Sequence, residues 1–171
     1  FSFGDRIYLQ TVGMAMGNPL GPSCANIYLK QFDEFTKTQE GVQLYCRFLD
    51  DVFFLFYGSI DELRLLERRM NDLIPKIRIT LNVASIINNF LDVYVYKKCD
   101  NNRYFLGTQI YFKETDTHQL LQMSSNHPKH VFKGIVKSQL IRFKRLSSTE
   151  LDYRTACKIL FNTLKIRGYS S

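Results

Sequence analysis

Apolar positions change their period several times along this chain, and each change marks an element. Residues 1–10 mix aromatic and aliphatic side chains with polar ones, and then Gly13, Gly17, Pro19, Gly21 and Pro22 crowd into a short span. That density of Gly and Pro predicts a tight loop with exposed backbone. Ser23 is placed to cap a helix carrying Ala25, Ile27, Leu29, Phe32 and Phe35 as an apolar stripe. Residues 43–48 and 52–57 are β-prone runs joined at Leu49-Asp50-Asp51, which predicts an antiparallel hairpin with both carboxylates at its tip. Ser59 followed by Glu62 reads as a capping box, and Ile60, Leu63, Leu66, Met70 and Leu73 hold helical spacing as far as Pro75.

Ile77, Ile79, Leu81 and Val83 then alternate with Arg78, Thr80 and Asn82, the pattern of a half-buried strand. Residues 90–97 and 103–113 predict a further hairpin across Asp100-Asn101-Asn102. Pro128 starts a helix with Phe132, Ile135, Val136, Leu140 and Phe143 at helical spacing, and Ser147 with Glu150 opens a second one reaching Ile166. The order of elements predicts an α+β fold, an antiparallel sheet with helices on one face followed by a small helical segment. The two parts divide at 1–115 and 116–171. The chain opens at Phe1, directly in patterned sequence, and reads as a piece of something longer.

Charge refines this division. The chain of 171 residues carries 23 Lys and Arg against 16 Asp and Glu, a net charge of +7. The segment 126–171 alone has a net charge of +8, so the excess lies wholly in the C-terminal helices. Lys129, Lys133 and Lys137 recur every four residues, with Lys144 seven further on, opposite the apolar stripe of the same helix. Arg142, Arg145, Arg154 and Lys158 lengthen the positive surface. A basic face on an apolar base suits a phosphate backbone, although a solvated surface has the same composition. Cys24, Cys46, Cys99 and Cys157 form no C-x-x-C pair, and three of the four sit in apolar runs. That favours buried thiols in a reducing, intracellular compartment, nuclear or cytoplasmic, for a protein that is not secreted. The longest purely apolar run, residues 52–57, is far too short to span a bilayer.

Two adjacent acids among Phe48, Leu49, Val52 and Phe53 are costly unless they meet solvent or a cation. Oxygen-only ligands select hard cations such as Mg²⁺, which takes one or two carboxylates and fills its shell with water and phosphate oxygens. The plain alternative is a polar hairpin turn. His127 and His130 lie at i and i+3 without a Cys or acid at ligand spacing, which favours capping, phosphate contact or packing over zinc.

Phe48-Leu49-Asp50-Asp51 resembles the F/Y-x-D-D box of reverse transcriptases. Tyr8-x-Gln10-x-x-Gly13-x-x-Met16-Gly17, followed by Pro22-Ser23-x-Ala25-Asn26, resembles the motif that precedes that box, with Met16 and Gly21 where the wider group usually has Gln and a Ser-Pro. Arg47 before the acids, Phe90-Leu91-Asp92-Val93, Tyr111-x-Lys113-x-Thr115-Asp116 and Ser125-x-His127-Pro128-x-His130 are together similar to Penelope-like retroelement reverse transcriptases, relatives of telomerase reverse transcriptase. The resemblance implies a polymerase palm followed by a thumb-like segment, and RNA-directed DNA synthesis. It implies two metal ions, Mg²⁺ or Mn²⁺, with Asp50 and Asp51 as catalytic and metal-binding carboxylates. Gln10, Gly17 and Phe48 then line the nucleotide and template pocket, and Lys129, Lys133, Lys137, Arg142, Lys144 and Arg145 bind nucleic acid. The implied partners are an RNA template, a DNA primer and deoxynucleoside triphosphates, with no membrane. A palm also needs an upstream Asp, and Asp5 lies too close to Gln10 to be it. The missing upstream part of the same polypeptide has to supply that acid and the fingers, so the fragment alone is expected to be inactive. A non-catalytic nucleic-acid-binding remnant is the alternative.

Overall fold

A computed structural model describes residues 2–15, 17–115 and 119–169. Met16 and Asp116, each part of a sequence motif above, lie outside the described residues. The fold is mixed α and β, with small antiparallel sheets and, among the described residues, five helices. It divides into two compact units, 1–81 and 82–171. The 115/116 junction read from the sequence falls inside the second of these.

The first unit opens with a two-stranded ribbon, β1 (Ser2–Phe3) and β2 (Arg6–Ile7). Past the Gly and Pro loop, helix α1 (Gly21–Tyr28) has Leu20 as its N-cap and Pro22 in its first turn. Ser23 therefore lies inside the helix and does not cap it: Pro in the first turn needs no backbone donor, so the helix starts three residues earlier than a Ser23 cap would place it. The predicted single helix is also interrupted at Leu29, after which α2 (Lys30–Lys37) follows. Strands β3 (Val42–Phe48) and β4 (Asp51–Phe56) form the predicted antiparallel hairpin. Helix α3 (Ile60–Leu73) carries the predicted capping box, with the Glu62 amide donating to Ser59 Oγ and the Ser59 amide donating to Glu62 Oε2. Phe32 of α2 and Leu63, Leu66 and Met70 of α3 are buried against Tyr45, Val52, Phe54 and Phe56 of the hairpin. Full burial of a Phe or Met side chain contributes about 2–3 kcal/mol, so this small cluster fixes the hairpin on the two helices.

Residues 77–83 are not a strand. They have no ladder partner; the Ile79 amide instead donates to Asn71 Oδ1 (2.7 Å), Asn71 Nδ2 donates to the Ile79 carbonyl (3.0 Å), and the Leu81 amide donates to Glu67 Oε1 (3.1 Å). The alternation does mark half-burial, since Ile79 and Leu81 pack against the core, but side chains of α3 satisfy the backbone that a strand would have satisfied.

The second unit holds a three-stranded antiparallel sheet in the order β5 (Ile87–Phe90), β6 (Val93–Asp100), β7 (Arg103–Ile110). The predicted strand 90–97 is thus cut at Leu91-Asp92, where the chain reverses, and its partner ends at Ile110 rather than at residue 113. Helices α4 (Lys129–Leu146) and α5 (Glu150–Ile166) follow. Thr149, not Ser147, caps α5, its hydroxyl accepting from the Asp152 amide. Ser147 has a buried hydroxyl without a hydrogen-bond partner among the described residues. Ile110 of β7, Phe143 of α4, and Ala156, Cys157, Leu160 and Leu164 of α5 make the core. The turn between the helices is fixed to β7 at both ends of one residue pair: the Ser148 amide donates to the Thr108 carbonyl (2.9 Å) and the Thr108 amide to Ser148 Oγ (2.7 Å). A Cβ on Gly107 would run into the Tyr96 ring, whose hydroxyl donates to Asp152 (2.8 Å). Glycine is required there by crowding. Three of the four cysteines, Cys24, Cys46 and Cys99, are exposed and only Cys157 is buried, which corrects the expectation of buried thiols. No helix among the described residues is long and apolar enough to cross a membrane.

Candidate functional site

Phe48 pairs with Asp51 across a two-residue turn made of Leu49 and Asp50. Leu49 takes φ +54, a left-handed conformation that non-glycine residues hold only when their surroundings impose it. The constraint is visible. Arg47, one residue before Phe48, donates from Nη1 to the Leu49 carbonyl (2.9 Å) and to Asn26 Oδ1 of α1 (3.0 Å). From Nε and Nη2 it makes a fork onto Asp33 of α2, at 2.6 and 2.7 Å. Tyr45 donates its hydroxyl to the same Asp33 (2.6 Å). One guanidinium, 7% exposed, thereby ties the turn to α1 and α2.

The electrostatics follow from these bonds. The Arg47 fork holds the Asp33 carboxyl below its ordinary value, against the opposing effect of burial. Burial, with the bond to Asp33, pushes the Tyr45 hydroxyl up. Asp50 and Asp51 are exposed, and among the described residues neither enters an ion pair or a side-chain hydrogen bond. The one guanidinium in the hairpin is committed to Asp33, so it does not neutralise them. The pair offers oxygen ligands and negative charge to an incoming cation. Two carboxylates fit one hard cation completed by water or phosphate. A third acid is not brought to them: no group of three or more His, Cys, Asp or Glu that could hold a metal exists among the described residues.

The other sequence-derived positions of the first unit are less tightly joined. Phe48 is 58% exposed beside the turn. Gln10 spends its amide on its own loop, Nε2 donating to the Val12 carbonyl (3.0 Å). Gly17 takes φ +84 and a Cβ there would meet open space, so the backbone conformation, not crowding, requires glycine. No side-chain hydrogen bond among the described residues links Gln10 to the Asp50 turn. Arg47 stands out in the sequence only as a neighbour of the acids, and Asp33 does not stand out at all; the signal available was an acid between Phe32 and Phe35, which does not announce its partner.

In the second unit, Lys129, Lys133, Lys137 and Arg145 of α4 are exposed and enter no ion pair among the described residues. The remaining two predicted contacts differ. Arg142 Nη2 is paired with Asp92 (2.7 Å), and Lys144 with Glu150 (2.9 Å), which Arg154 also holds (3.0 Å). His127 shares a hydrogen bond with Ser125 (3.2 Å) and sets its ring edge-on to Phe132, as a packing residue.

Comparison with known families matches residues 119–171 to the Animal helix-turn-helix domain. The span contains α4, the turn at Ser147–Thr149 and α5. No curated protein and no solved structure matches the chain. This corrects the resemblance to Penelope-like reverse transcriptases: no reverse-transcriptase family matches, and the Ser125-x-His127-Pro128-x-His130 block counted toward that resemblance lies within the helix-turn-helix span. What the comparisons establish is a similarity to the Animal helix-turn-helix domain across the C-terminal helices.

Proposed function

We propose that the Asp50-Asp51 turn is part of a metal-dependent nucleotidyl-transfer site, in the palm of an RNA-directed DNA polymerase, and that the basic helices grip nucleic acid as a thumb. The observation that carries this reading is the unneutralised carboxylate pair on a turn held by Arg47, whose own charge is spent on Asp33. A rigid turn keeps two negative charges together at no cost of ordering when a cation arrives. Bound Mg²⁺ or Mn²⁺ supplies positive charge for the triphosphate and for the attacking 3′-hydroxyl of a primer. Phe48, exposed beside the acids, offers a ring to the primer end or the incoming nucleotide, and Gln10 and Gly17 belong to the loop on the template side. Lys129, Lys133, Lys137 and Arg145 hold phosphates; Arg142 and Lys144 have to give up Asp92 and Glu150 to do so.

Primer extension by the longest polypeptide containing this sequence tests the proposal, with RNA and DNA templates compared. Asp50→Ala should lower the rate by a factor on the order of 10²–10³ or more, in keeping with the loss of a main charge-stabilising group. Synthesis that survives the substitution rejects the assignment.

A second reading is favoured by two observations: among the described residues no third acid joins Asp50 and Asp51, and residues 119–171 match the helix-turn-helix domain. In it the chain binds nucleic acid without catalysis. The binding constant then falls with salt with a slope of roughly −0.7 to −0.9 per phosphate contact, while Asp50→Ala leaves it unchanged.

A further inference from the structure

The hairpin β6–β7 does more than build the sheet. Its turn, Asn101-Asn102, has both residues at positive φ (47° and 61°), the tight two-residue form that matches strand twist and leaves no slack loop. Strand β5 accompanies β6 only as far as Tyr96, with one further bond from the Lys97 amide to the Ile86 carbonyl. Beyond that, residues 97–106 continue as a two-stranded ribbon, and the ends of both strands that meet at the turn are exposed at every position. Exposure there includes large rings: Tyr104 is 68% and Phe105 43% exposed.

Alternation puts these two rings on opposite faces. Each is accompanied by a cation. Lys97 Nζ stands 4.1 Å from the centroid of Tyr104, and Lys98 Nζ 5.7 Å from that of Phe105. Arg103 adds a third positive charge against a single acid, Asp100, which faces it across the turn. None of these four charged residues enters an ion pair among the described residues. Each face of the ribbon thus repeats one unit, an exposed aromatic ring with an ammonium over it. A ring stacks on an unpaired base and the ammonium meets the adjoining phosphate; that combination is how proteins hold single strands without reading sequence. A duplex keeps its bases stacked inside and offers the rings nothing comparable.

We infer that the projecting end of β6–β7 is a single-strand nucleic-acid clamp, with bases stacked on Tyr104 and Phe105 and phosphates held by Lys97, Lys98 and Arg103. It is separate from the helical basic face, and it does not depend on the nucleotidyl-transfer reading, because binding alone reveals it. Lysines at an exposed ribbon can also serve simply to discourage edge pairing, and the rings decide between these roles.

Fluorescence anisotropy on the full chain, with labelled oligo-dT and oligo-U and a duplex of equal length, tests the clamp. Tyr104→Ala combined with Phe105→Ala should weaken single-strand binding about tenfold or more and leave duplex binding unchanged. Tyr104→Phe with Phe105 intact should bind like the original chain, since the ring is kept, and circular dichroism of each variant confirms that the sheet is retained. Preference for one oligomer over the other assigns the strand as DNA or RNA. Unaltered single-strand affinity in the double variant overturns the clamp, as does an equal loss for single strand and duplex, or no single-strand binding by the original chain.

Discussion

Two turns in this molecule are built from the same three residues, Phe48-Leu49-Asp50 and Phe90-Leu91-Asp92, and they come to different ends. In both, Phe closes a strand, Leu and Asp form a two-residue reversal, and the Leu takes φ +54. At the second turn Asp92 is neutralised by Arg142, and its carbonyl accepts from the Tyr111 amide (2.9 Å). The acid there is part of the scaffold. At the first turn a second acid follows, and the nearest guanidinium turns away to Asp33, Asn26 and the Leu49 carbonyl. The same backbone device presents a paired charge in one unit and an unpaired double charge in the other. Two like charges left together oppose folding slightly, and a cation bound between them would offset that cost.

This contrast breaks most sharply at the arginines. Arg47→Ala should destabilise the first unit by about 3 kcal/mol, because it leaves the Asp33 carboxylate without its counter-charge, held by the Tyr45 hydroxyl alone, and a turn carbonyl unpaired in a largely buried setting. Arg142→Ala, at a pair whose side chains are 40% and 57% exposed, should cost at most about 1 kcal/mol. Denaturant unfolding of each variant measures the difference, and equal losses would remove the distinction between an anchored turn and a merely paired one.

A smaller effect is expected with pH. The Asp33 carboxyl is held below its ordinary value by Arg47, so its contribution to stability is present above the unfolded carboxyl value and is lost as pH falls through the lower folded value, below about pH 4. Denaturant unfolding followed over that acid range should show the loss, and Asp33→Asn should remove that part of the profile.

Local signals in the sequence reached local structure. The capping box of Ser59 and Glu62 placed α3, and β-prone runs on either side of two acids placed β3 and β4. Where long-range partners decide, the pattern misled: residues 77–83 alternate as a strand but are held by Asn71 and Glu67 of α3. Leu91 and a single acid masked the start of β6, whereas the paired acids after Leu49 and the pair Asn101-Asn102 each marked a turn. Ser147 was read as a cap although Thr149, two residues on, has the Asp it needs at Asp152. At the candidate site the acids were legible, and their anchor was not, because Arg47 and Asp33 lie on different elements fourteen residues apart.

Divalent-cation binding at the two turns is the most direct measure of the difference between them. Paramagnetic Mn²⁺, added in small amounts to the isotope-labelled chain, should broaden the amide signals of residues 49–52 and spare those of residues 91–93, and Asp50→Asn with Asp51→Asn should abolish the broadening. Equal broadening at both turns, or none at Asp50 and Asp51, would contradict the account.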